Sequence, residues 1–128
     1  MLPLPRLFSI VLSFEKNSME KITYDDFAKV EMKVGTILSV EVVPDADKLL
    51  KLTVDLGEEV PRQILSGIRE YFEDPQLLVG RQCPFVTNLA PRTIRGFESN
   101  GMILAGSTED SLALFHPGIN VPPGTKIK

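Results

Sequence analysis

Apolar and polar side chains alternate with a period of two along most of the chain from residue 30 onward. The longest alternating run spans Val30 to Val42, and a second run spans Leu50 to Leu56. This period places successive side chains on opposite faces of a strand. Shorter predicted strands lie at residues 62–65, 81–89, 101–106 and 112–115. The pattern therefore predicts a fold made mainly of short β-strands.

The first predicted strand is long, and Gly35 interrupts it. A glycine inside a strand often marks a bulge or a tight bend. Strong bending is also how long strands fit into small barrels. We therefore expect the strand to bend near Gly35 and to present one apolar face, formed by Val30, Met32, Val34, Leu38, Val40 and Val42.

Two segments carry helix signals. Thr23 and Asp26 have the spacing of a capping box, which predicts a short helix. Residues 68–78 read as a helix in two pieces, broken at Pro75 and closed by Gly80. Three strands, a helix and two further strands form the element order of an OB-fold, although another small Greek-key barrel would give a similar pattern. We predict an all-β, five-stranded OB-fold barrel with short helices and a C-terminal strand extension.

Composition excludes several classes of site. The chain of 128 residues has 14 basic and 17 acidic residues, so its net charge of −3 argues against indiscriminate coating of DNA. A single Cys and a single His exclude an intrachain disulfide and a zinc site built mainly from Cys and His. No apolar stretch reaches the roughly 18 residues needed to span a bilayer. We expect no metal, no cofactor and no membrane partner.

Residues 1–18 differ in character from the rest of the chain. They contain one early cation, Arg6, followed by a short apolar run at 7–14 without a typical cleavage site after it. A start-site extension, a short membrane or partner anchor, and a signal peptide are the three interpretations. We favour the extension and expect the folded domain to cover residues 19–128.

The predicted loop at residues 88–100 carries the clearest local charge. The window from residue 81 to 106 contains three Arg and one Glu, a net charge of +2 within an acidic chain. Arg92 and Arg95 stand three residues apart, and guanidinium groups bind phosphate oxygens bidentately. The alternative is an exposed loop with two solvated arginines. In an OB-fold this loop flanks the ligand face.

The predicted loop at residues 44–48 flanks the same face and ends in Lys48. Lys33, on the polar face of the first strand, extends the positive strip, although either lysine alone is also typical of a solvated surface. Asp45 and Asp47 fit turn positions. Two carboxylates without further ligands make a weak case for a metal site.

Aromatic residues are scarce. The sequence has no Trp, and Phe97 is the one aromatic residue in the 88–100 loop. A single-strand binder usually stacks several bases on aromatic side chains. Contact with the sugar–phosphate surface of a folded RNA fits this composition better.

At these loops the sequence resembles the tRNA-binding domain family. That family includes the C-terminal domain or separate beta subunit of methionyl-tRNA synthetases, free-standing tRNA-binding proteins and a cytokine domain. The resemblance covers residues 24–128, and its short motifs occur in the family's order. They lie at residues 33–37, 46–49, 66–68, 88–92 and 99–105.

The resemblance implies an OB barrel that dimerises and binds the outer corner of tRNA with little reading of sequence. Carried over by position, the tRNA site would include Lys48, Asn88, Arg92, Ser99 and Met102. The family usually has a basic residue where this chain has Thr93, and a His where it has Val43. These differences concern affinity rather than fold, and Arg95 partly compensates.

The predicted function is therefore that of a non-catalytic tRNA-binding module. We expect it to be cytoplasmic and homodimeric and to associate with an aminoacyl-tRNA synthetase, of which the methionyl enzyme is favoured. The alternative is a protein-binding module, because related export chaperones resemble this chain too. A hydrolase would need Asp45, Asp47 and His116 to converge, which nothing in the sequence predicts.

Overall fold

A computed structural model describes residues 20–128, in which short antiparallel strands form a barrel. The predicted extension at residues 1–18 lies outside the described residues. A short helix, α1, spans Tyr24–Phe27, and 3₁₀ helices span Arg69–Tyr71 and Pro75–Leu78. The strands are Met32–Val42 (β1), Leu50–Asp55 (β2), Arg62–Ser66 (β3), Gln82–Val86 (β4), Arg92–Ile94 (β5), Phe97–Ser99 (β6), Met102–Ile103 (β7), Ala105–Ser107 (β8), Leu112–Leu114 (β9) and Lys126–Ile127 (β10).

The main sheet has the order β3-β2-β1-β4-β7, and each of its pairs is antiparallel. The sheet curls until β3 meets the chain that precedes β7. There the Asn100 amide donates to the Gln63 carbonyl at 2.8 Å. The result is a nearly closed five-stranded barrel, which confirms the predicted OB-type fold.

A bulge in β1 changes which side chains face the core. The pairing with β2 shifts between Ile37 and Ser39, so Leu38 is an extra residue on this strand. Ile37 and Val40 are buried, whereas Leu38 and Val42 are each 44% exposed. The predicted single apolar face is therefore wrong at Leu38, because a bulge breaks the alternation of the strand. It is also wrong at Val30, which precedes β1 and is 42% exposed, and at Val42, the last residue of β1.

Gly35 lies on β1 opposite Cys83 of β4 and packs directly against the core. A Cβ atom at this position would lie between 2.6 and 2.9 Å from side-chain atoms of Val54, Phe85 and Leu56. No larger residue fits without displacing the core. The core itself comprises Ile37, Val40, Leu50, Leu52, Val54, Leu56, Ile64, Ile68, Leu78, Cys83, Phe85 and Ile103.

The C-terminal segment adds strands outside the barrel, which confirms the predicted extension. Strands β8 and β9 form a separate hairpin, and β10 pairs with the start of β1. The predicted strand at residues 101–106 is in fact divided between β7 in the main sheet and β8 in this hairpin. Within residues 20–128, no helix is both long and apolar enough to cross a bilayer.

Candidate nucleic-acid interface

The segment at residues 88–100 is an ordered hairpin rather than an open loop. Strands β5 and β6 pair from Arg92 opposite Ser99 to Ile94 opposite Phe97. The two residues between the strands, Arg95 and Gly96, have φ angles of 53° and 84°. Two consecutive positive φ values are the requirement of a type I′ turn. Glycine meets it without strain, whereas an arginine in this conformation is uncommon.

A small apolar cluster fixes the hairpin against the loop between β1 and β2. Phe97 is half-buried in this cluster, and the Lys51 ammonium lies 4.5 Å from its ring centroid. One face of the only aromatic side chain of the hairpin is therefore already covered. The cluster comprises Val43, Ala46, Leu49, Leu65, Ile94 and Phe97.

A hydrogen bond joins the tips of the hairpin and the β1–β2 loop. The Arg95 guanidinium donates to the Asp45 carbonyl at 3.2 Å. These two are also the non-glycine residues with positive φ within residues 20–128. Unusual backbone conformations tend to occur at functional sites. Both residues, together with Asp47 and Lys48, line a cleft of about 230 Å³. The structure thus brings the predicted contacts Lys48 and Arg95 together.

Arg92 lies on the exposed face of the same hairpin. Within residues 20–128 its guanidinium takes part in none of the ion pairs, which involve Lys29, Lys33, Lys51 and Arg62. Arg92, Ser99 and Met102 share the wall of a second, smaller pocket of about 80 Å³. The structure therefore groups three more of the predicted site residues.

Ser99 and Asn88 use their polar groups within the protein. Ser99 is only 5% exposed, and its hydroxyl accepts from the Leu65 amide at 3.0 Å. The Asn88 side chain donates to the Lys29 carbonyl at 2.6 Å and accepts from the Glu31 amide at 2.8 Å. Both side chains hold backbone segments in place next to the charged hairpin.

Lys33 lies in a different environment from the other predicted contacts. Its ammonium is 3.8 Å from the Glu31 carboxylate, and it lines neither the cleft nor the smaller pocket. A hydrogen bond from the Thr87 hydroxyl lowers the pKa of Glu31. The structure therefore separates Lys33 from the cations of the hairpin.

The sequence analysis did not identify Arg62, which organises the neighbouring network. Its guanidinium makes two bonds of 2.8 and 2.9 Å to Glu58 and donates to the Thr87 carbonyl. The hydrogen bonds from Arg62 lower the pKa of Glu58. The spacing of four residues between opposite charges was the available signal, but it is common on any protein surface. Leu89, which lines the smaller pocket and is 47% exposed, was also missed.

The residues considered for catalysis do not converge. His116 lies against β4, where its Nδ1 atom is 2.8 Å from the Gln82 carbonyl, whereas Asp45 and Asp47 line the cleft beside Lys48. Cys83 is fully buried, and burial raises the pKa of its thiol to about 11. Such a thiol is not a reactive nucleophile. In the described part of the chain, no group of three or more side chains is arranged to hold a metal ion.

Comparisons with known proteins point to one family. The chain matches the family described as "Putative tRNA binding domain" over residues 32–126. It is 50% identical over 107 residues to a methionine–tRNA ligase of Methanococcoides burtonii, a match that covers 83% of this chain and 16% of the ligase. The chain thus spans about one sixth of the length of the curated relatives it matches.

Solved structures show the same fold. A MetRS related protein from Pyrococcus horikoshii superimposes with a TM-score of 0.79 and 38% identity, covering 86% of this chain and 100% of that one. The chaperone CsaA from Bacillus anthracis superimposes with a TM-score of 0.75 and 29% identity, covering 84% and 99%.

Proposed function

This chain belongs to the tRNA-binding domain family, and from that premise we propose that it binds tRNA through its charged hairpin face. We define this face as the β5–β6 hairpin together with the β1–β2 loop. The observation that carries the proposal is that these two adjoining segments together present three basic residues, Lys48, Arg92 and Arg95. None of the three takes part in an ion pair within residues 20–128. Unpaired cations are available to phosphate oxygens.

The ligand we propose is the outer corner of a folded tRNA rather than a single strand. Phe97 is packed against Lys51, so the hairpin offers no open aromatic platform for a run of bases. Contacts with phosphate and ribose read the shape of an RNA more than its sequence. Asp45 and Asp47 border the same cleft, which limits its positive potential. We therefore expect modest affinity and little discrimination between tRNA species.

Lys33, Asn88 and Ser99 remain proposed members of the site. The bonds that Asn88 and Ser99 make support a role in holding the hairpin face in shape. Lys33 would extend the positive surface only where RNA reaches past the hairpin.

The cellular role we propose is non-catalytic. The protein would raise the effective concentration of tRNA at a partner enzyme, and methionyl-tRNA synthetase is the favoured partner. Two similarities support this partner. The chain matches about one sixth of the length of a methionine–tRNA ligase, and it matches the whole length of the MetRS related protein. Such a role places the protein in the cytoplasm, where tRNA is charged.

We also propose a homodimer, held by apolar surface on the C-terminal extension. Phe115 is 53% exposed and Ile119 is 76% exposed. Phe115 also lines an apolar pocket of about 240 Å³ with Val34, Pro84 and Ile127. Two-fold pairing of such surfaces is the commonest assembly of soluble proteins. Light scattering should give about twice 14.2 kDa, and Phe115→Glu should give a monomer.

A chaperone-like role is the second candidate, because CsaA shares the fold at 29% identity. Two assays distinguish the tRNA-binding role from the chaperone-like role. The first titrates the protein with labelled bulk tRNA and with duplex DNA of equal length, and the second measures suppression of protein aggregation. We expect tRNA to bind more tightly than the duplex, and Arg92→Ala with Arg95→Ala to abolish most of that binding. Equal binding of both nucleic acids, or aggregation suppression without tRNA binding, would reject the tRNA proposal.

A further inference from the structure

The smaller pocket on the hairpin face combines apolar walls with a cation at its rim. Its walls include Leu65, Leu89, Ile94 and Met102, and Arg92 borders it. Leu89 and Met102 are 47% and 44% exposed. Large apolar side chains that face solvent beside a binding surface are often part of it. The pocket is therefore complementary to a ligand that has an apolar surface next to a negative charge.

We propose that this pocket receives one unpaired nucleobase of the bound tRNA, while Arg92 contacts the phosphate of the same nucleotide. The inference rests on the proposed function and specifies which part of the RNA enters the protein. A base offers a flat apolar face attached to a charged backbone, which matches the apolar walls and the cationic rim. The thioether of Met102 suits this partner, because sulfur makes favourable contacts with aromatic rings.

The pocket is too small to enclose a base, so only part of one base enters it. Its volume of about 80 Å³ is about half of the roughly 150 Å³ of a cavity that encloses a benzene ring. The ribose and phosphate therefore remain outside, within reach of Arg92. An unpaired base in a loop of folded RNA is free to leave its stack and enter such a site.

The pocket has little means to distinguish one base from another. Ser99 is the hydroxyl in its wall, and that group already bonds to the Leu65 amide at 3.0 Å and the Gly101 carbonyl at 3.4 Å. The pocket therefore holds a base by apolar contact, which every base can make, rather than by hydrogen bonds that read its edge. This agrees with binding that is specific for tRNA shape but not for tRNA species.

The test pairs a polar substitution in the pocket with removal of a base from the RNA. In Leu89→Gln and Met102→Gln the new side chain is similar in size to the one it replaces, and both positions are partly exposed. We therefore expect both variants to fold, and thermal melting checks this. Leu77→Gln is the matched control, because Leu77 is 66% exposed on the second 3₁₀ helix and lines neither hairpin pocket. We expect each pocket variant to bind tRNA about tenfold more weakly at every salt concentration, with the salt dependence unchanged.

A second arm uses tRNAs that each carry one abasic site at an unpaired nucleotide of the outer corner. One of these RNAs should bind the wild-type protein about tenfold more weakly than intact tRNA does. Leu89→Gln should bind that RNA with the same affinity as the wild-type protein. Additive losses for every RNA would overturn the proposal, because a base and its pocket must be coupled. Wild-type affinity of both pocket variants would also overturn it while leaving the proposed function intact.

The remaining outcomes are equally decisive. Absence of tRNA binding by the wild-type protein would reject the proposed function and the pocket together. If the pocket variants lost suppression of protein aggregation but kept tRNA affinity, the pocket would be a site for apolar peptide side chains, and the proposed base site would be wrong.

Discussion

Replacing Arg92 with alanine isolates the electrostatic part of tRNA binding. The side chain is exposed and takes part in no ion pair within residues 20–128. Its removal should therefore change stability by less than about 0.5 kcal/mol, the usual range for such surface positions. Any loss of tRNA affinity then reports a contact with the RNA rather than damage to the fold.

The expected magnitude follows from the number of available cations. If Lys48, Arg92 and Arg95 each contact one phosphate, the logarithm of affinity should fall with the logarithm of salt concentration with a slope between about −2.1 and −2.7. Affinity should then drop about 20- to 40-fold between 50 and 200 mM salt. Arg92→Ala leaves two contacts, so the slope should be about −1.4 to −1.8 and the drop about 7- to 12-fold.

The assay is a fluorescence anisotropy titration of labelled tRNA at four or more salt concentrations. Arg81→Ala is the matched control, because Arg81 is an exposed arginine next to the start of β4, whereas the charged hairpin follows the end of that strand. We expect the control to keep the wild-type slope. An unchanged slope in Arg92→Ala, or an equal change in Arg81→Ala, would show that RNA does not contact Arg92 and would refute the proposed orientation.

Four further predictions concern the fold and its ionisable groups. Gly35→Ala should destabilise the protein by about 1–3 kcal/mol in chemical denaturation, because the added methyl overlaps three core side chains; a neutral effect would contradict the packing described for β1. Folding lowers the pKa of Glu58, so its stabilising contribution is present above the unfolded pKa and is lost as the pH falls through the folded value. Glu58→Gln should accordingly be less stable than wild type near pH 7, and the two should converge in acid. Cys83 should resist a thiol reagent at pH 8 until the protein is unfolded, since burial raises its pKa to about 11; rapid labelling of the native protein would disprove this. A protein that starts at Met19 should melt within a few degrees of the full chain, and a large loss would show that residues 1–18 contribute to folding.

The sequence by itself determined the first three strands of the barrel and the basic character of the 88–100 segment. It did not determine that residues 92–99 pair as a hairpin or that the run at 101–106 is divided between two sheets. Alternation of side chains is a local property, so β1, β2 and β3 were predictable within a few residues. Turn residues and charge are local as well, which is why the segments carrying Lys48 and Arg92 were predicted to form the ligand face.

Only the tertiary structure decided which partners each side chain has. The bulge at Leu38 depends on the register between β1 and β2, which is set by both strands and by the loop that joins them rather than by the sequence of β1 alone. For the same reason the sequence does not reveal the bonds that Asn88 and Ser99 accept from the amides of Glu31 and Leu65, which span 57 and 34 residues. Only contacts between residues far apart in the chain therefore distinguish Asn88 and Ser99, which hold the backbone beside the hairpin, from Arg92, which takes part in no ion pair within residues 20–128.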